Sequence, residues 1–358
     1  MDLLEKSIQI IKNNQSKYGS YIACPNFPVY RYCWLRDGSF IAFSMDIAEE
    51  YESSYRFHSW VHQTINRYVW KVKYLLSIKG VNNFYIHPNN YLHARYNLDG
   101  TESNDEWGNK QFDGYGIWLW SLTEHIKKTN NEYLIDKFKR EINLIIDYLM
   151  RFWKEPCYSC WEEHPDKIHT STIACIAGGL KAINQYIKCK DIDKKILEME
   201  KFIKEKCVLE ERFAKFYDPS ENQAKSIDSS LIWLAYPFQF ISKNDPIFLK
   251  TIKEIEKKLV NNGVHRYPED TYYGGGEWII LTLWLAWYYY DNGKKTKGDK
   301  LLKWVESTAN ENGELPEQNP KNLLAPNYYP IWVERWGPIA RPLLWSHAMY
   351  IIVKKKFE

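Results

Sequence analysis

The 358 residues carry 48 Lys and Arg against 45 Asp and Glu, a net charge of +3 with no basic tract or acidic tail, so nothing points to nucleic acid or a membrane surface. At 45% hydrophobic the chain can build a sizeable core, and it holds no run of about 18 apolar residues that would span a bilayer. Met1 to Gln15 lacks the continuous apolar stretch of a signal peptide, so the seven cysteines read as reduced thiols of a cytoplasmic protein.

Apolar residues recur at helical spacing along most of the chain. Leu134, Phe138, Ile142, Ile145, Leu149 and Phe152 form one stripe, and Ile173, Ile176, Leu180, Ile183 and Ile187 form another. The spacing predicts twelve helices, over 3–16, 37–51, 54–77, 112–128, 131–153, 168–189, 193–207, 226–239, 246–262, 277–293, 297–310 and 341–355. Connections 52–53, 129–130, 190–192, 240–245 and 294–296 are short; 17–36, 78–111, 154–167, 208–225, 263–276 and 311–340 are long. That alternation implies six helical hairpins. Closed in a ring they make an all-α (α/α)6 barrel, one domain over 1–358, with the long connections at one end. An open solenoid is the alternative, but no fixed-period repeat supports it.

The unusual residues gather in the long connections. The chain has 16 Trp and 27 Tyr, which suit either a large core or a cleft where flat rings stack on sugars. Connection 17–36 runs into Tyr30-Arg31-Tyr32-Cys33-Trp34-Leu35-Arg36-Asp37. The next ends in Trp107-Gly108-Asn109-Lys110-Gln111, followed by Phe112 and Asp113. Then come Trp161-Glu162-Glu163, Arg266-Tyr267-Pro268-Glu269-Asp270-Thr271-Tyr272 with Glu277-Trp278 beyond, and Leu315-Pro316-Glu317-Gln318. Breaking a glycosidic bond takes two carboxyl groups, one to protonate the leaving oxygen and one to attack or to activate water. Asp37, Glu162, Glu163, Glu269, Asp270 and Glu317 are available, and spacing does not choose among them. Arg36–Asp37 also suits an ion pair at a helix start, and Asp113 a helix cap. Gly274–Gly276 lacks the Lys-Ser/Thr of a phosphate loop. Cys157 and Cys160 with His164 and His169 are ligand types at spacings too short for a zinc finger, so neither metal nor cofactor is expected.

In this order the clusters resemble glycoside hydrolase family 15, the glucoamylases, glucodextranases and related trehalases. Trp34-Leu35-Arg36-Asp37 resembles the clamp on the terminal glucose, and Trp107 to Asp113 a second substrate segment. Trp161-Glu162-Glu163 resembles the general-acid motif, Arg266 to Tyr272 a substrate-binding loop, Pro316-Glu317-Gln318 the general-base motif, and Leu344-Trp345-Ser346-His347 the closing motif. The resemblance implies an (α/α)6 barrel and an inverting hydrolase, with Glu162 as acid and Glu317 as an ionised base, their carboxyls roughly 6.5–9.5 Å apart. It implies substrate contacts from Tyr30, Trp34, Arg36, Asp37, Trp107, Trp161, Glu163, Arg266, Glu269 and Trp278. The implied reaction is exo-acting release of β-D-glucose from non-reducing ends of short α-glucans or α-glucosides, the partner being an oligosaccharide or disaccharide. The chain has room for neither the β-sandwich nor the starch-binding module of many relatives, which favours short substrates. A trehalase, an isomalto-oligosaccharide hydrolase, or a non-catalytic carbohydrate-binding module on the same fold are the alternatives; a helical-barrel phosphorylase or lyase has no motif in its favour. Linkage and oligomeric state are not legible.

Overall fold

Fourteen helices follow in chain order among the described residues: α1 (Leu3–Asn13), α2 (Leu35–Ile47), α3 (Tyr51–Arg67), α4 (Val69–Ser77), α5 (Asp113–Thr129), α6 (Tyr133–Lys137), α7 (Lys139–Phe152), α8 (Thr170–Ile187), α9 (Lys190–Lys206), α10 (Pro246–Lys258), α11 (Ile279–Asp291), α12 (Lys295–Glu306), α13 (Tyr329–Trp336) and α14 (Leu344–Phe357). The computed structural model describes residues 2–78 and 86–357; positions 79–85 of the expected connection 78–111 lie outside the described residues.

Contacts between neighbours run α2 to α5, α5 to α8, α8 to the 3-10 turn Ser229–Leu234, that turn to α11, α11 to α14, and α14 back to α2, which closes an inner ring of six. Against these pack α3, α7, α9, α10, α12 and α1, respectively, as the outer layer. The sequences fit the two layers. Inner helices are apolar or small nearly all round: α11 is buried continuously from Ile279 to Tyr289, and α8 from Thr170 to Leu180. Outer helices keep one stripe. In α7, Ile142, Ile145, Ile146, Leu149 and Phe152 are buried, while Lys139, Arg140 and Arg151 face solvent. The architecture is the (α/α)6 barrel.

One crossing in the ring depends on bare backbone. A Cβ at Gly179 on α8 would stand 2.0 Å from the Gly116 carbonyl oxygen of α5, and one at Gly116 would stand 2.4 Å from the Cys175 carbonyl oxygen. Only glycine permits that approach.

Three expectations need correction. The helix expected over 226–239 is a 3-10 turn, Ser229–Leu234, with Asp228 accepting from Ser230 N at 2.8 Å. Pro237 has no N–H for a helical ladder, and Asp228, Ser229 and Ser230 favour a capped turn. The helices expected over 54–77 and 131–153 each divide, at Tyr68 and Phe138. The connection expected over 311–340 contains a further helix, α13, which starts with Pro330 in its first turn, where a missing N–H costs nothing.

Candidate active site

The inner elements all begin at the end of the barrel where the long connections lie. Two-residue strands pin those connections just ahead of the helices. Trp34 pairs with Arg95 before α2, His169 with Phe216 before α8, and Trp278 with Gln318 before α11. The last pairing sets Glu317 beside the start of α11, where its carbonyl accepts from Ile279 N at 3.2 Å and its own N–H donates to Ala340 O at 3.0 Å. Inside this end is a cavity of about 330 Å3 lined by residues from every one of the five sequence clusters. Its floor is buried and its rim, including Glu106, Trp107, Tyr272, Trp332 and Trp336, is partly exposed.

Glu162 and Glu317 both line this cavity. Glu162 sits at φ 65°, a left-handed backbone that costs a non-glycine residue of order 1 kcal/mol and persists only where the surroundings enforce it. Here the Ser159 turn enforces it. Glu162 N donates to Ser159 O, and Ser159 Oγ accepts from the N–H groups of Trp161 and Glu163 at 3.1 and 3.3 Å. The Glu162 Oε1 atom then accepts from Trp34 Nε1 at 2.5 Å and Gln111 Nε2 at 3.1 Å, with Arg36 Nη2 3.9 Å away.

Glu317 is nearly inaccessible. Tyr30 OH donates to its Oε1 at 3.0 Å, and the Tyr272 hydroxyl stands 2.8 Å from that of Tyr30. Its Oε2 makes no hydrogen bond among the described residues. Burial raises the carboxyl to about 8, the Tyr30 hydroxyl and Arg266 pull it back, and Asp37 adds to the rise. This departs from the expectation of an ordinarily ionised base. The cause is the dry wall around it.

Arg36 donates Nη1 to Gln111 Oε1 at 2.9 Å and to Asp113 Oδ2 at 3.1 Å, while its Nε makes no hydrogen bond and stands 3.4 Å from Asp37 Oδ2 as an ion pair. The helix-start ion pair therefore exists, but its close member is Asp113. Asp113 braces Arg36 and accepts from Gly114 N, and it does not line the cavity. Burial raises Asp37 to about 7 against the opposing pull of Arg36, and its Oδ2 has that ion pair but no hydrogen bond. Arg36 Nε, Asp37 Oδ2, Glu317 Oε2 and the indole N–H groups of Trp107, Trp278 and Trp345 are buried donors and acceptors around one space that make no hydrogen bond among the described residues. Leaving such groups unmet costs about 1–3 kcal/mol each, and a ring of sugar hydroxyls supplies what they lack.

Glu163 also lines the cavity and pairs with Tyr267 and Arg266. Tyr267 OH donates to its Oε2 at 2.5 Å, and Arg266 Nη2 lies 3.3 Å from its Oε1. Burial opposes its charge, yet Arg266, Lys215 and that hydroxyl outweigh burial and hold the carboxyl below its usual range. Arg266 also grips Asp270 with two donors, at 2.7 and 2.5 Å, and stands among the rings of Trp161, Tyr267, Tyr272 and Trp278. Trp161 Nε1 donates to Asp228 at 2.9 Å. Arg95, sandwiched 3.8 Å from the Trp107 ring centre and 4.1 Å from that of Tyr32, backs the wall.

The cavity thus gathers Tyr30, Trp34, Arg36, Asp37, Trp107, Trp161, Glu162, Glu163, Arg266, Trp278 and Glu317. Glu269 is a correction. It is exposed, outside the lining, with Ser226 Oγ 3.5 Å away, because Asp270 takes the inward place beside Arg266. Gln111, Tyr272 and Trp345 are site residues that the sequence reading did not single out, although each sits inside a quoted motif. Trp332 and Trp336 had no motif; their signal was the four-residue spacing in a proline-rich stretch. Cys157, Cys160, His164 and His169 make no metal-capable group among the described residues; the one such group is Asp46, His58 and His125, which lies outside the cavity lining.

A family model described as glycosyl hydrolases family 15 matches residues 2–310. An isomaltose glucohydrolase of Kribbella flavida is 34% identical over 361 residues, 98% of this chain and 91% of that one. Trehalase 1 of Sulfolobus acidocaldarius is 26% identical, matching 77% of this chain and 49% of its own. Among solved structures, a wild-type glycosidase superposes with TM-score 0.92 at 33% identity over 99% of this chain and 96% of that one, as does a variant of a glycosidase in complex with glucose. A bacterial glucoamylase complexed with acarbose shares the fold at TM-score 0.75 and 19% identity, covering 99% of this chain and 55% of the other. The barrel, the paired carboxyl groups in its cleft and these matches agree: the chain is a glycoside hydrolase and belongs to glycosyl hydrolases family 15.

Proposed function

We propose that this protein is an exo-acting, inverting α-glucosidase that removes one glucose from short α-glucosides, with isomaltose the first candidate substrate. The observation that carries the reading is one cavity lined by both Glu162 and Glu317, closed at its floor by Arg36, Asp37 and Trp345. Glu162 gives its proton to the glycosidic oxygen, and the second sugar leaves as an alcohol. Glu317 takes a proton from water, which attacks the anomeric carbon from the opposite face, so an α-linkage yields β-D-glucose. Arg36 and Asp37 orient the terminal glucose through Nε and Oδ2, an ion pair whose atoms make no hydrogen bond among the described residues, and a closed floor admits a chain end only. The free Glu317 Oε2 is the atom available to the water. The Kribbella relative supports isomaltose, and the more distant trehalases keep trehalose as the alternative. The seven unpaired cysteines support a cytoplasmic setting, and one continuous core from Ile11 to Val353 supports a single catalytic domain.

The test is glucose release from isomaltose, maltose and trehalose by the wild type, Glu162→Gln and Glu317→Gln. The wild type is expected to cleave isomaltose with the highest kcat/KM. Each variant should lose roughly 100-fold or more in kcat with the fold retained. Near-normal turnover by either variant removes that residue from its role, and a preference for trehalose selects the alternative.

A further inference from the structure

Helix α13 stands apart from the rest of the barrel. None of its eight residues is buried, and it packs chiefly on two 3-10 turns, Tyr272–Gly274 and Pro326–Tyr328. Trp332 and Trp336, four residues apart, lie on one face and both line the cavity at its partly exposed rim. Their ring centres are 4.9 Å apart. Trp332 is bolted down: its Nε1 donates to Thr271 O at 2.9 Å, and its ring meets those of Tyr272 and Tyr273 at 5.1 and 6.2 Å. Trp336 leans on Tyr272 and Phe27 at 6.1 and 6.4 Å. The floor polar groups are spoken for by the terminal glucose; this rim pair offers two flat apolar faces and little hydrogen bonding.

We propose that Trp336, with Trp332 holding it in place, is the platform on which the departing sugar stacks, so that α13 selects the leaving group. The inference rests on the α-glucosidase reading above. A pyranose presents an apolar face of C–H groups that suits an indole, and a rim platform contacts only what lies beyond the scissile bond. Because α13 is anchored through Tyr272, whose hydroxyl meets that of Tyr30 on Glu317, a structural role through the base is the rival explanation.

The two are separated with α-D-glucosyl fluoride, which has the terminal glucose and no second ring. For Trp336→Ala, the ratio of kcat/KM on isomaltose to kcat/KM on the fluoride is expected to fall roughly fivefold to tenfold relative to wild type, mostly through KM for the disaccharide. Trp336→Phe should restore most of the ratio. An equal loss on both substrates assigns Trp336 to upkeep of Glu317 and overturns the proposal, and so does an unchanged ratio. Wild-type protein that cleaves neither substrate refutes the α-glucosidase reading itself, a different result from either.

Discussion

Asp37 and Glu317 share one cavity, burial raises both carboxyls, and the Asp37 charge raises that of Glu317 further. Below the ordinary carboxylate range both are protonated in either folded or unfolded chain. As pH climbs, the unfolded carboxyls ionise first, while the folded ones hold their protons to about 7 and about 8. The stability tied to Glu317 is therefore fully present at acid pH and lost as pH rises through about 8. Glu317→Gln should melt a few degrees higher than wild type at pH 9 and match it near pH 4, measured by thermal unfolding; a difference independent of pH contradicts this. Catalysis runs the other way, since the base works ionised. The acid limb of the kcat/KM profile should lie well above the usual carboxylate range and report Glu317. Arg36 has a simpler test. Asp113→Asn removes the charge that braces it, and kcat/KM should fall about tenfold or more with KM for the disaccharide rising, read by steady-state kinetics. An unaltered KM would show that the brace is dispensable. The residue types of this site were legible because they sit in contiguous motifs. Which carboxylate turns inward was not: Glu269 and Asp270 are neighbours in sequence, and only the position of Arg266 decides between them.

At the scale of elements, periodicity served well where one face is apolar, as in α7 and α10. In the structure Asp245 caps α10, its Oδ1 accepting from Ile247 N and Phe248 N at 2.9 and 3.2 Å. Periodicity also located the inner helices α8 and α11, and it failed at one inner element. The inner 3-10 turn, Ser229–Leu234, is as apolar as a helix, and the Asp228 cap and Pro237 decide its form instead. Helix α13 failed for the opposite reason: it buries no residue, and its prolines resemble those of a loop. The Gly116–Gly179 crossing allows a direct check on the inner ring. Gly179→Ala drives a methyl into the Gly116 carbonyl and should destabilise the fold by about 2 kcal/mol or more, seen as a lowered denaturant midpoint with an unchanged slope. Wild-type stability in that variant would mean that α5 and α8 do not approach this closely.

Across the whole molecule, closure joins the two ends of the chain. Leu344 N donates to Ala23 O at 3.0 Å, and buried His347 bridges Ser7 Oγ at 2.9 Å and the N–H of Leu315 at 3.0 Å. Trp345 follows from that closure: it stacks on Phe40 at 5.4 Å and forms part of the cavity floor under Arg36. The ring's order was legible in the alternation of short and long connections, yet no local pattern could show that residues 162 and 317 come to one cavity; that is a property of the closed ring alone. The most direct measurement is the configuration of the first glucose released, followed by proton NMR with isomaltose in the first minutes of reaction. Separate acid and base carboxyl groups with water between them predict β-D-glucose first, the α-anomer growing in only by mutarotation. An initial α-anomer would mean retention, and would contradict the assignment of Glu317 as a base acting through water.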